Sequence, residues 1–202
     1  NGIVANLADA ALPDLPRDVT HILHCAADTR FGRPIDEVRA INVEGTRRLL
    51  AFARTCPRLQ AFIHVSTAYV CGLDAGPVPE APLPRPSAFA NTYQQSKWEA
   101  EQLVIGAMPH MPASVVRISS IFGDSATGAV KQFNYTHQLL KLLGRNVLPV
   151  APLDLEAPVD LAPLDWVAPR LVELLFEHFV PGGVRHLCAG AALSITAGEM
   201  VD

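Results

Sequence analysis

Tyr93 and Lys97 stand four residues apart in the segment YQQSK. In a helix this spacing sets the two side chains one turn apart on the same face. A cation held beside a phenol favours the phenolate, lowering the phenol pKa from about 10 and making it a usable acid or base near neutral pH. Lys97 is one of only three lysines against thirteen arginines, so a lysine at this spacing stands out. Ser66 and Thr67 follow the apolar run AFIHV, where a hydroxyl can bond the same substrate oxygen as Tyr93. Cys25, Ala26 and Ala27 close another apolar run with small side chains, which lets a ligand approach the backbone.

The elements that must position these residues alternate along the chain. Residues 19–27, 59–66, 114–119 and 184–189 read as short, doubly buried strands. Helical spacing runs through 34–56 (Ile35, Val38, Ile41, Leu49, Leu50, Phe52), from about 92 to 108, and through 131–143 and 165–179. Pro34 suits a first helical turn and Pro57 ends that helix. Asn91 or Thr92 can cap the helix of Tyr93, with Gln94 or Gln95 completing a capping box. Strands separated by helices predict an α/β chain, a doubly wound parallel sheet with helices on both faces. That places Ser66, Thr67 and Cys25 to Ala27 at C-terminal strand ends, where open parallel sheets bind ligands. Residues 71–90 are rich in Pro and Gly and have no period. At this length they are predicted to form a functional loop beside the site.

Composition narrows the function. Hydrophobic residues make up 50% and charged residues 18%, enough apolar surface for a core and too much for a disordered chain. A net charge of −4 gives no basic footprint for nucleic acid or anionic membrane, and no run is long enough for a membrane span. The four cysteines are scattered, so a reduced, cytoplasmic setting is expected. No metal is expected. His21 and His24 point to opposite faces of a strand, and His64 has no Cys or His partner at ligand spacing.

Taken together, ILHCAAD (22–28), INVEGT (41–46), FIHVSTAYVCG (62–72), YQQSK (93–97), VVRISSIFG (115–123) and PLDWV (163–167) resemble the extended short-chain dehydrogenase/reductase superfamily. HCAADTRF, HVSTAYVCG and YQQSKWEAE are most similar to its thioester-reductase branch, which includes the male-sterility-type fatty acyl reductases. The resemblance implies a Rossmann-like fold, a cofactor that is NADP or NAD with NADP favoured, and a set of roles. Tyr93 would be the acid/base. Lys97 would hold the nicotinamide ribose and depress the Tyr93 pKa, and Thr67 would bond the substrate carbonyl. Cys25, Ala26, Ala27, Asn42, Ser66 and Ser119 would lie on the cofactor side. The family's glycine-rich GxxGxxG turn, which seats the pyrophosphate on a helix N-terminus, is absent. The opening residues 2–7 instead resemble a later family strand whose end, Asn6 and Leu7, contacts adenine. The expectation is therefore a Rossmann-like domain fragment over 1–202, incomplete at its N-terminus and weak in cofactor binding by itself. Its core would be about 1–120 and 158–190, with part of a substrate-side lobe at about 121–157 and 190–202.

The expected activity is reduction of a fatty acyl or carrier-bound thioester to an aldehyde. The competing readings are a nucleotide-sugar epimerase or dehydratase, a sterol-type dehydrogenase, and a non-catalytic binding module. Segment 122–153 offers Phe122, Phe133, Tyr135, Val147, Leu148 and Val150, with Lys131 and Arg145 as its main basic groups. A sugar diphosphate would call for several Arg or Lys there. The expected partner is the small-molecule or carrier-bound acyl thioester itself, with a homodimer left open.

Overall fold

The computed structural model describes residues 3–9, 11–130, 133–143, 145 and 154–201. In chain order the elements are β1 (His21–His24), α1 (Ile35–Asn42), α2 (Glu44–Ala53), β2 (Ala61–Thr67), α3 (Thr92–Ala107), β3 (Ala113–Ile118), β4 (Ser120–Phe122), α4 (Tyr135–Leu143), β5 (Pro158–Val159), β6 (Leu161–Pro163), α5 (Leu164–Phe176), β7 (Val184–Leu187), β8 (Ile195–Thr196) and α6 (Ala197–Val201). The predicted helix from 131 begins on residues outside the described ones and is helical from Tyr135.

The chain divides into two compact units. One holds the described residues of Asn1–Arg117 and Val172–His186, the other those of Ile118–Leu171 and Leu187–Asp202. The first is built on the sheet β1-β2-β3-β7, with β1 and β2 parallel and His21, Ile22, Leu23 and His24 opposite Ala61, Phe62, Ile63 and His64. All seven residues of β2 are buried, as expected for a strand covered on both faces. Phe62 packs with Leu50 and Ala53 of α2, Val104 and Ala107 of α3, and Val115 of β3. On the opposite face Ile63 and Val116 border Leu174 of α5, and the His21 ring lies 4.6 Å from that of Phe176. The sheet is thus covered by helices on both faces, the doubly wound arrangement read from the sequence. In the second unit β4 pairs parallel with β6 and β5 antiparallel with β8.

Two expectations are corrected. The helix predicted over 34–56 breaks at Val43 into α1 and α2. The Thr46 hydroxyl donates to the Asn42 carbonyl at 2.7 Å, a side-chain bond of the kind that bends helices. The described part of the strand expected at 2–7 is not a strand. Asn6 Oδ1 accepts from the Ala8 N–H and the Asn6 carbonyl from the Asp9 N–H, which turns the chain. Leu7 then lies against Gly45, where an added Cβ would sit 2.9 Å from the leucine Cβ, and its carbonyl accepts from Arg48 at 2.7 Å.

Candidate active site

Asn91 fixes the start of α3. Its side chain accepts from the Gln94 N–H at 3.0 Å, while Gln94 Oε1 accepts from the Ala90 N–H at 2.8 Å. The Asn91 cap is as predicted, but the reciprocal bond of a capping box is displaced by one residue, since Gln94 takes the N–H of Ala90 rather than that of Asn91. From that start α3 carries Tyr93, Lys97 and Glu101 along one face. Each meets β2. The Thr67 hydroxyl hydrogen-bonds the Tyr93 phenol. Lys97 Nζ donates to the Val65 carbonyl at 2.7 Å and contacts His64 Nε2 at 3.2 Å. Glu101 accepts from the Ser66 hydroxyl at 2.7 Å. Thr67, Tyr93 and Lys97, predicted to work together, are gathered at the C-terminal end of β2.

Electrostatics at the site correct one expectation. Burial pushes the Tyr93 phenol up to about 12; the offset comes from the Thr67 hydrogen bond, not from Lys97. The ammonium is turned toward the strand, where burial holds it down at about 8. The phenol therefore keeps its proton throughout the neutral range. The Phe31 ring stacks over Tyr93 at 5.5 Å and contributes to its apolar surroundings.

The loop after β1 is held from three sides. Asn42 Oδ1 accepts from the Asp28 N–H at 2.7 Å, and its amide donates to the Asp28 carbonyl and to Ser96. Thr92 donates to the Phe31 and Arg33 carbonyls. The Asp28 carboxylate takes Arg30 at 2.7 Å and Arg33 at 3.2 Å. Cys25 and Ala26 stand exposed at the start of this loop and Ala27 half-buried, so small side chains line the end of β1.

Other predicted cofactor residues are placed differently. Asn42 is buried and both its donors are engaged, so it supports the loop rather than presenting itself to a ligand. Ser66 turns its hydroxyl inward to Glu101 because strand alternation puts it on the face covered by α3. Asn6 is exposed with its amide in the local turn, and Leu7 packs on Gly45. Ser119 belongs to the second unit. Its N–H reaches the Leu187 carbonyl at 3.4 Å, and its buried hydroxyl has no hydrogen-bond partner among the described residues.

Residues 72–90 border the site by way of α3. Trp98 Nε1 donates to the Pro84 carbonyl, Gln102 to that of Leu83, and Gln94 Oε1 caps the loop's end at Ala90. These three residues line the helix face next to that of Tyr93 and Lys97. Arg117 of β3, fully buried, pins the loop's middle. It donates to the Pro79 and Ala81 carbonyls and pairs with Glu101 at 2.6 Å.

The model of the male sterility protein family matches residues 6–171. The chain belongs to this family. The isonitrile lipopeptide synthase of Streptomyces coeruleorubidus is 35% identical over 172 residues, which are 83% of this chain and 11% of that protein. Fatty acyl-CoA reductase 2 of Mus musculus is 27% identical, covering 88% of this chain and 30% of the mouse protein. The chain thus spans a third or less of the length of these two relatives. Among solved structures, the terminal R domain of the myxalamid pathway superposes with a TM-score of 0.74 at 34% identity, over 87% of this chain and 44% of that domain. RMD from Pseudomonas aeruginosa, solved with NADPH, superposes at 0.66 and 23% identity over 88% of this chain and 62% of its own, a likeness of fold. These neighbours identify the first unit's sheet and helices as Rossmann-like.

For this male sterility family member, sequence reasoning missed His64, Phe31 and the Glu101–Arg117 pair. Arg117 had a readable signal, since a charge inside the buried run SVVRIS requires a buried partner. Phe31 had none beyond being a lone aromatic after a strand end.

Proposed function

We propose that the chain forms the catalytic part of a nicotinamide-dependent reductase that converts an acyl thioester to an aldehyde. The observation that carries this reading is the gathering of Thr67, Tyr93 and Lys97 at the end of β2. Membership of a family whose relatives bear the name fatty acyl-CoA reductase supports it. The residues present fit the nicotinamide end of NADPH or NADH. Small exposed side chains stand at the end of β1, and Lys97 uses two of its three N–H groups within the protein, leaving one for a ribose hydroxyl.

When bound, NADPH or NADH would supply the hydride that reduces the thioester carbonyl carbon. Thr67 and Tyr93 hydrogen-bond the carbonyl oxygen as negative charge builds on it. Because Tyr93 holds its proton up to about pH 12, it is the donor that neutralises this oxygen. The resulting hemithioacetal collapses as its hydroxyl loses the proton again and the C–S bond breaks, giving the aldehyde and a thiolate that takes a proton to become the free thiol. Once the carbonyl oxygen is protonated, the single Thr67 hydroxyl hydrogen is free to turn to the phenolate left on Tyr93, a hydrogen bond that favours the charged form. In the second unit Phe122, His137 and Phe133 form a stack with ring separations of 4.2 and 5.3 Å. Its character supports an acyl chain over a sugar diphosphate; Lys131, Val147, Leu148 and Val150 lie outside the described residues.

The test offers the full-length protein NADPH deuterated at nicotinamide C4, an acyl-CoA, and a hydrazine to trap the aldehyde. Trapped aldehyde bearing deuterium is expected. No aldehyde with acyl thioesters, together with cofactor-dependent conversion of a nucleotide sugar, would replace this reading with the epimerase one.

A further inference from the structure

His64 sits at the centre of β2 with no exposure to solvent. Its Nε2 lies 3.2 Å from the Lys97 ammonium, which has only hydrogens to offer, so Nε2 is the acceptor and the ring proton is on Nδ1. That Nδ1 is buried and has no hydrogen-bond partner among the described residues. A buried donor left unpaired is unfavourable, and an apolar side chain of similar shape would pack at this position without that cost. The neighbouring ring shows the contrast. His24, 5.1 Å away, donates through Nε2 to Thr46, whose own hydrogen is committed to the Asn42 carbonyl. His24 Nε2 finds its partner within the fold, whereas among the described residues the one hydrogen bond His64 makes through its ring is to Lys97. Among the described residues Lys97 has no carboxylate within ion-pair distance, because Glu101 is engaged by Arg117 and Ser66.

We propose that His64 is the positioning residue of Lys97. Its Nε2 and the Val65 carbonyl take two ammonium N–H groups and so set the direction of the third, the one that meets the cofactor ribose. This rests on the assignment of Lys97 to the cofactor. A residue in this role also maintains the ammonium's charge. The groups that face Lys97 are Glu101 on α3 and Cys25 after β1, which favour the ammonium, and the neutral rings of His24 on β1 and His64 on β2. Burial already holds the ammonium at about 8. Losing an acceptor lowers it further, so cofactor binding in a variant without one fails at a lower pH than in the wild type.

The experiment titrates the full-length protein with NADPH by fluorescence between pH 6 and 9, for wild type, His64→Leu, His64→Gln, His64→Asn and Lys97→Ala. Leu removes the acceptor. Gln carries an amide oxygen about as far as Nε2, and Asn is too short to reach. The expected result is an NADPH Kd raised about tenfold or more in His64→Leu and His64→Asn, with the alkaline loss of binding moved to lower pH. His64→Gln should return to within a few-fold of wild type. If His64→Leu does not fold, the Gln and Asn pair alone decides. Equal affinities and equal pH limbs for Gln and Asn would overturn the proposal and leave His64 a packing residue. If Lys97→Ala weakens NADPH binding while the His64 variants do not, only the positioning role fails. If Lys97→Ala also binds like wild type, the cofactor assignment itself fails.

Discussion

At the scale of single residues, the site works by what is kept neutral and what is kept charged. In the proposed reaction Tyr93 would be the proton donor, its pKa raised by burial, and the Thr67 hydrogen bond would ease the proton's departure. Replacing Thr67 with Val should lower kcat about 10²–10³-fold with KM little changed, as loss of a donor to a developing oxyanion does. Steady-state kinetics with an acyl-CoA would show it, and a change confined to KM would move Thr67 from catalysis to substrate binding. Asp28 makes a different prediction, about stability. Its carboxyl is held down at about 2, chiefly by the Arg30 hydrogen bond. A carboxyl lowered on folding contributes stability that is present above about pH 4 and lost as pH falls through about 2. With Arg30 open to solvent, the contribution is about 1 kcal/mol. Melting curves between pH 2 and 5 should therefore fall less steeply in Asp28→Asn than in wild type; parallel curves would remove Asp28 from the acid response.

At the scale of elements, α3 and β2 form one device joined by the contacts Tyr93–Thr67, Lys97–Val65, Lys97–His64 and Glu101–Ser66. The first was legible in the sequence, because YQQSK and the hydroxyls after AFIHV name both sides of the contact. The direction of Lys97 was not. Which acceptor an ammonium chooses depends on where a neighbouring strand's carbonyls fall, and no one-dimensional pattern encodes that. His64 was hidden for a related reason, since inside an apolar run a histidine reads as an ordinary core residue. The N-terminal strand was misread because the local turn made by Asn6 overrides the apolar pattern of its neighbours. The loop at 72–90 was located by its Pro and Gly content, but its anchor, Arg117, lies on β3. Arg117→Met leaves the buried Glu101 carboxylate without its ion-pair partner and with Ser66 as its hydrogen-bond donor, which should cost about 3–5 kcal/mol. It should also release the loop. Urea unfolding checks the first, and limited proteolysis with mass mapping checks the second by new cuts within 72–90. An unchanged cleavage map would show that the loop is held by its contacts to α3.

At the scale of the whole molecule, the doubly wound first unit brings β1 and β2 side by side, so the small residues after β1 and the reactive side chains after β2 share one edge of the sheet. Under the proposed function this edge would serve as cofactor platform and oxyanion site together. The second unit carries the aromatic stack of Phe122, His137 and Phe133 on its own elements. The central claim is that Tyr93 donates the proton that neutralises the carbonyl oxygen as hydride adds to the thioester. It is tested most directly by following NADPH oxidation and thiol release together, in the full-length protein with an acyl-CoA, for wild type and Tyr93→Phe. The account predicts coupled oxidation and release in the wild type, loss of both in the variant, and an NADPH Kd within a few-fold of wild type. Thiol release at the wild-type rate from Tyr93→Phe would contradict it.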